Sequence, residues 1–457
     1  MKLFIRLTLL SFLSLSIFSV VHAQTPVVAD QRAAVAEGCA AAARLPGLAA
    51  GTCALTGLER RPITRDIVEY TFSLKVGAGD HDVIRLHRVV REARPGLPRR
   101  VPHSVFMVHG DLWGFDGAFL ASSLSGNVPR EQSVGVFLAQ RDVDVWGVDL
   151  RWVQVPAGTL DFGFMKEWNL QTHLGDIAAA LGVARAVRGA TNSGSDPLPL
   201  LGWSRGGILA YAYASAETQW PADARQVSGL IPVDVAFKFN PEHEEQRAAA
   251  CRRYTTNKLQ LDAGQYHSPL GVLAGTLGLL AAAEPGLPSA VPGFAGLTNE
   301  QAALLLTTST HLLFAPNPPV PGYHFNAGEF NLLGLPTGLQ YTREAYLYDF
   351  LQAAAPYQSF TEQVESEAIW CDELNVPYDD HLGEISVPVL YVGAEGGFGS
   401  YGVDTLSRLG STDVSTHVVR LHPPQARAAE FGHADLFLAD NARELVWAPI
   451  HNWLVSH

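Results

Sequence analysis

An α/β fold, with a mostly parallel sheet covered by helices on both faces, is what this 457-residue sequence predicts. Three observations predict it. Val-, Leu- and Ile-rich runs alternate with helical runs, the pattern of strands buried on both faces. The stretch "PLLGWSRGGILAYAYA", from Pro199 to Ala214, joins one such strand to a helix through a sharp small-x-Ser-x-small turn. Between Asn240 and about Asp380 the alternation stops and then resumes, which marks a large insertion.

Composition bounds what the chain can be. Hydrophobic content of 47% and charged content of 17% describe a globular protein able to bury a sizeable core. The net charge of −13 argues against nucleic acid and anionic membrane surfaces as partners. Residues 1–23 read as a secretory signal peptide: Met1, Lys2 and Arg6 open it, "LTLLSFLSLSIFSVV" is its apolar centre, and cleavage is expected after Ala23. No later run reaches the roughly 20 apolar residues of a membrane span. "GVLAGTLGLLAAA" (Gly271 to Ala283) comes nearest and reads as a buried helix. The mature chain is therefore expected to be secreted or periplasmic. Its cysteines, Cys39, Cys53, Cys251 and Cys371, are even in number, which fits disulfides in an oxidising compartment. Four cysteines allow three pairings; Cys39–Cys53 and Cys251–Cys371 are favoured because each pair brackets one region. None sits in a C-x-x-C pattern, which argues against thiol chemistry or a zinc site.

Along the chain, residues 24–60 form an alanine-rich N-terminal extension that reads as loop with room for one helix. Residues 61–240 are the first part of the core. "DIVEYTFSLKV" and "HDVIRLHRVV" alternate as two strands around the glycine turn "GAGD". "HSVFMVHG" and "VDVWGVDLRW" are strands separated by the helical end "SVGVFLAQRD". "HLGDIAAALGVARAVRG" has helical spacing with Gly189 as its stop, "LPLLGW" and "VSGLIPVDVAF" are strands, and "GGILAYAYASAE" is the helix between them. Residues 241–379 are predicted to be a helical subdomain, with stretches such as "EEQRAAACRRY" and "NEQAALLLTTSTHLL". Residues 380–457 complete the core with the strands "VPVLYVGA" and "VSTHVVRL".

The turn at Gly202, Trp203, Ser204, Arg205 and Gly206 has two readings. One is a strand-to-helix turn with a serine N-cap. The other is a nucleophile elbow, G-x-S-x-G, which holds a serine side chain clear of its own backbone. The order of motifs decides between them. Strand, "HGDLWG", strand "VWGVDLRW", helix, "LLGWSRGG", strand "LIPVD", insertion, strand "VLYVGAEGG" and then "FGHADLF" resembles the α/β-hydrolase superfamily over Arg65 to Asn240 and Asp380 to His457.

That resemblance implies roles for particular residues. Ser204 matches the nucleophile. His433, placed before the last helical segment in Ser…acid…His order, matches the base that takes the serine proton. The oxyanion hole would come from main-chain N–H groups: that of Arg205, and that of Asp111 with Leu112 as the alternative. The acid departs from the common pattern. Where an aspartate is expected after "VPVLYVGA", the loop is "EGGFG" with Glu395; the other slot, after the preceding strand, holds Asp234. Asp234 is preferred over Glu395, and Asp404 and Asp435 are weaker candidates. The insertion matches the position of a cap over the site. Its segment "SPLGVLAGTLGLLAAAEPGLPSAVPGFAGL" could line an apolar acyl or aryl pocket, with Trp113, Trp152 and Trp203 near the motif loops.

Other signals fail. "EHEEQR" lacks the second histidine of a metalloprotease helix, "YDDHLGE" reads as an exposed acidic loop, and no G-x-G-x-x-G follows a strand. The expected activity is hydrolysis of small-molecule carboxylic esters through an acyl-enzyme, with no metal or organic cofactor. A peptidase or amidase, or an acyltransferase, would use the same residues, and a non-catalytic binder of the same fold is the rival from another class.

Overall fold

The computed structural model describes residues 26–45 and 53–457; the expected signal segment lies outside the described residues. A ten-stranded sheet organises them. Its strands are β1 (Ala54–Pro62), β2 (Ile67–Lys75), β3 (Val83–Arg94), the two-residue β4 (Leu97–Pro98) paired to β3, β5 (His103–Val108), β6 (Val143–Asp149), β7 (Leu198–Trp203), β8 (Val227–Val233), β9 (Val389–Ala394) and β10 (Val414–Val419). Across the sheet they lie in the order β1-β2-β3-β6-β5-β7-β8-β9-β10. β1, β2, β3 and β6 pair antiparallel, and from β6 to β10 every pairing is parallel.

The central strands read as continuous apolar runs because both of their faces are buried. Phe106 and Val108 of β5 enter one core cluster while Val105 and Met107 enter the other, as the two-residue period of a strand requires. β6 divides in the same way, with Trp146 and Val148 on one side and Val143 and Val145 on the other. Helices α2 (Leu170–Ala190) and α3 (Arg205–Glu217) pack on the first face, and α9 (Ala448–Ser456) on the second. One charged network crosses the interior. Asp144 of β6 accepts a bidentate pair from Arg88 of β3 at 2.9 and 2.9 Å and a third bond from Arg188 of α2 at 2.8 Å. A buried carboxylate is tolerated there because both oxygens are paired.

Three expectations need correction. The N-terminal extension is not mainly loop: Pro26–Ala42 is helix α1, packed on α2, and β1 extends the sheet at its edge, so a boundary at residue 60 cuts a strand. Gly189 does not stop α2, which runs to Ala190. The stop comes at Thr191, whose hydroxyl turns back to the Val187 carbonyl, and at Asn192 with φ of 60°. The run Gly271–Ala283 lies in helix α5 (Leu270–Ala283), but only one of its faces is buried: Ala274, Leu277 and Ala281 face inward while Val272 and Leu279 are 43% and 56% exposed.

Between β8 and β9 the chain is mostly helical, with α4 (Glu244–Asp262), α5, α6 (Asn299–Thr308), α7 (Glu344–Gln352) and α8 (Phe360–Cys371). It also holds a small antiparallel pair, Gly328–Phe330 with Pro336–Leu339, which helical spacing did not suggest. The Cys251–Cys371 disulfide joins α4 to α8, and Cys39–Cys53 joins α1 to the start of β1. At the base of α8, Trp370 Nε1 donates to the Ala236 carbonyl at 2.6 Å and Lys238 Nζ to that of Ile369 at 3.1 Å. No helix among the described residues is long and apolar enough to cross a membrane.

Candidate active site

The turn after β7 forces Ser204 into a backbone that side chains rarely adopt, φ 57° and ψ −126°. Such strain persists only where the surroundings over-determine it. Here they do, because strand, turn and helix approach too closely for any side chain. A Cβ on Gly202 would lie 2.2 Å from the Gly206 carbonyl oxygen, and one on Gly206 would lie 2.2 Å from that of Val108. The two glycines of the motif are thus required by contact. They leave Ser204 standing at the carboxyl ends of β5 and β7, facing a cavity of about 660 Å³ that His433 also lines.

His433 is buried, and its Nδ1 lies 2.6 Å from Asp234 Oδ2. Asp234 sits just past β8 with φ of 48°. Its Oδ1 accepts the N–H groups of Ala394 and Gly399, both at 2.9 Å, and its Oδ2 accepts that of Phe398 at 3.1 Å. The loop "EGGFG", anomalous in lacking an aspartate, is therefore the cradle of an aspartate from the neighbouring strand. A Cβ on Gly397 would fall 1.9 Å from Asp234 Oδ2, so the glycine is what lets the loop close over the carboxylate. Glu395 points elsewhere, to the Ser400 amide and hydroxyl and to Arg420, each at 3.2 Å. Asp404 engages the Asn240 amide and His243. No hydrogen bond joins His433 to Ser204 among the described residues; the two share the cavity wall.

The loop that carries His433 hangs on the insertion. The His433 and Ala434 amides donate to the carbonyls of His324 and Phe325 at 3.0 and 2.7 Å. The imidazole packs between Trp203, Tyr323 and Phe325, with ring centroids at 5.1, 5.3 and 5.6 Å. Asp435, a weaker candidate for the acid, does not meet His433 but ties its loop to the insertion. Fully buried, it accepts from the amides of Gly432 and Ala327, from Asn326 Nδ2 and from Thr342 Oγ1, at 2.7–2.9 Å. The Asp435→Ala variant should lose about 3 kcal/mol or more of stability in urea denaturation, since it strands several buried donors at once. The same bonds hold the loop that carries His433.

The Asp111 and Arg205 amides find no acceptor among the described residues, while their side chains pair with each other: Arg205 Nε and Nη2 reach the Asp111 carboxylate at 2.5 and 2.9 Å. Leu112 has φ of 72°, and its carbonyl accepts the Ala355 amide at 2.6 Å. His109 ties this turn to β6: its Nδ1–H donates to the Gly110 carbonyl at 2.9 Å and its Nε2 accepts the Leu150 amide at 3.1 Å. Burial lowers the His109 pKa despite the nearby Asp149, which keeps the ring neutral for both bonds. Trp113 and Trp203 line the cavity, whereas Trp152 does not; it packs edge-on against His109 and donates to Glu362. Of the alanine- and leucine-rich segment of the insertion, only Ser268, Pro269, Leu270, Leu273 and Ala274 reach the cavity. Tyr323, Phe325, Arg253, Gln358 and Glu367 also line it. Sequence reasoning missed them, because "PGYHFN" and the polar faces of α4 and α8 carry no periodic signal of a site.

Beneath the turn, buried His87 lies 2.7 Å from Glu69 and 3.2 Å from Asp149, and Asp149 accepts the Phe115 amide at 2.6 Å. Burial alone would lower the His87 pKa, but the two carboxylates outweigh it and hold it well above 6.5. Burial likewise opposes ionisation of Glu69 and Asp149, yet His87 brings each down to about 2. The carboxylates contribute stability above their unfolded values of 4.5 and 3.8, lost as pH falls toward 2; the imidazolium contributes below 6.5, lost as pH rises through its folded value. The cluster should therefore stabilise most between about pH 4.5 and 6.5. Urea midpoints across pH should show a fall above this window that the His87→Gln variant flattens.

No known family profile matches the sequence, and no curated protein matches it. Solved structures do. A candidate lipase from Sulfolobus solfataricus superposes with a TM-score of 0.55 at 19% identity, over 87% of this chain and 99% of that one. A soluble variant of monoglyceride lipase from Saccharomyces cerevisiae matches with a TM-score of 0.41 at 13% identity, over 82% and 92% of the two chains. A cold-adapted esterase from an Arctic intertidal metagenomic library gives 0.39 at 11%, over 88% and 98%. The likeness to the Sulfolobus solfataricus structure, at 19% identity, establishes the fold alone.

Proposed function

The chain has the α/β-hydrolase fold, and we propose that it is a serine hydrolase that cleaves carboxylic esters through an acyl-enzyme on Ser204. One observation carries the reading: Asp234 holds His433 by Nδ1 at 2.6 Å while His433 and the elbow serine open on one cavity. Ser204 Oγ attacks the ester carbonyl carbon as His433 Nε2 takes its proton. Asp234 accepts the Nδ1–H and stabilises the imidazolium. The Arg205 and Asp111 amides are the donors for the oxyanion. Collapse of the tetrahedral species breaks the bond to the alcohol oxygen, which takes the proton from Nε2. Water then attacks the acyl carbon, His433 again serving as base, and the acid leaves with Ser204 restored.

Residues 241–379 act in this scheme as a cap over the core formed by 61–240 and 380–457. The cap contributes Leu270, Leu273, Leu306, Phe314 and Leu351 to the cavity, a surface suited to an apolar acyl or aryl group. Export to the periplasm or medium is supported by the two disulfides. Intact mass after fluorophosphonate treatment tests the mechanism. A single adduct that disappears in Ser204→Ala is the expected result; a folded wild type that takes no adduct would make the chain a binder of the same fold.

A further inference from the structure

Two spaces of unequal size meet at Ser204. Beside the cavity of about 660 Å³ lies a recess of about 50 Å³. Ser204, Asp111 and Arg205 border both. These residues are the ones that would hold an ester carbonyl under attack, so the carbonyl carbon belongs where the spaces join. Its two substituents then diverge, one into each. Pro319, Trp370 and Phe398 wall the recess and not the larger cavity. All three are buried, and Trp370 is fixed by its bond to the Ala236 carbonyl at 2.6 Å. At roughly 30 Å³ for a water-sized group, the recess admits about two heavy atoms and the larger cavity about twenty. His433 tells the two sides apart. It lines the larger cavity and not the recess, and with Nδ1 on Asp234 its free nitrogen is Nε2.

We propose that the substrate is a short-acyl ester of a larger apolar alcohol, with the acyl substituent in the recess and the alcohol in the larger cavity. The sides follow from proton transfer. When the bond from the carbonyl carbon to the alcohol oxygen breaks, that oxygen takes the proton from His433 Nε2. It must therefore lie on the side that His433 lines, and the alcohol extends from it into the larger cavity. The acyl substituent, on the other bond of the carbonyl carbon, is left the recess. An acetyl or propionyl group fits the volume there. Leu270, Leu273, Leu306 and Leu351 then pack on the alcohol. The assignment rests on the serine-hydrolase reading and places the apolar group of that reading on the alcohol arm.

Three isomeric esters test it on the wild-type enzyme: octyl acetate, hexyl butanoate and ethyl octanoate. They contain the same atoms and differ only in where the ester lies along the chain. Octyl acetate should have a kcat/KM about a hundredfold or more above ethyl octanoate, with hexyl butanoate between, since one methylene too many already costs about 10- to 200-fold in a confined pocket. In Phe398→Ala, which enlarges the recess alone, the ratio of octyl acetate to ethyl octanoate should fall about tenfold or more; a general loss of rate cancels in that ratio. Equal rates on the three isomers, or a preference for ethyl octanoate, would overturn the proposal and leave the serine mechanism standing. A fluorophosphonate adduct without hydrolysis of any isomer would do the same. Absence of both hydrolysis and adduct would overturn the mechanism and the proposal together.

Discussion

The Ser204→Ala variant should lower kcat on a p-nitrophenyl ester by about 10⁶-fold while the protein stays folded. The size follows from what is removed. Without Oγ there is no atom on which to form the acyl-enzyme, and His433 has only water to activate. The proposed oxyanion donors remain, because they are main-chain groups of Arg205 and Asp111, so a residue of about 10³–10⁴-fold catalysis over water should persist. Folding should be spared: Ser204 Oγ makes no hydrogen bond among the described residues, and alanine is smaller at a position whose unusual backbone is already held by Gly202 and Gly206. Circular dichroism and thermal melting beside the steady-state kinetics would check both halves. Retention of more than about a hundredth of the wild-type rate would point to another nucleophile.

The second large effect separates the two carboxylates. Asp234→Asn should lower kcat by about 10⁴-fold, whereas Glu395→Gln should change it only a few-fold. The Asp234 oxygens face donors on every side: Ala394 and Gly399 at Oδ1, Phe398 and His433 at Oδ2. An asparagine must point its NH₂ at one of these sets. Turned toward Oδ2 it confronts His433 Nδ1, which can then only accept, so the ring proton moves to Nε2 and the base cannot take the serine proton. Turned toward Oδ1 it confronts two amides and weakens the loop that holds the acid. Glu395 engages Ser400 and Arg420 instead, so losing its charge leaves His433 untouched. Parallel kcat measurements on the two variants, each checked for folding, decide the point. A larger loss in Glu395→Gln would remove Asp234 from the mechanism.

Much of this was open to reading in the chain, and the reasons are local. The strands from His103 to Ala394 announce themselves because burial on both faces demands nearly unbroken apolar runs, and the elbow does so because contacts of 2.2 Å admit only glycine at 202 and 206. The order of those motifs carries the fold. The carboxylate partner of His433 could not be read in the same way. "EGGFG" shows glycines and one glutamate, and that its amides wrap a carboxylate from β8 becomes visible only when β8 and β9 pair side by side. The half-exposed face of α5 was hidden for the opposite reason, since a helix apolar all round does not say which side the core will cover. The insertion was the least legible part. Tyr323, Phe325 and Asp435 meet across a long separation to set His433, and Arg253, Glu367 and Gln358 come from different helices and loops to wall the cavity. Sequence alone thus determined the elements whose demands lie within a few neighbouring residues: strands, elbow and order. Tertiary structure decided which carboxylate meets His433, how that histidine is held and the shape of the cavity, because each depends on atoms that only folding brings within hydrogen-bonding distance.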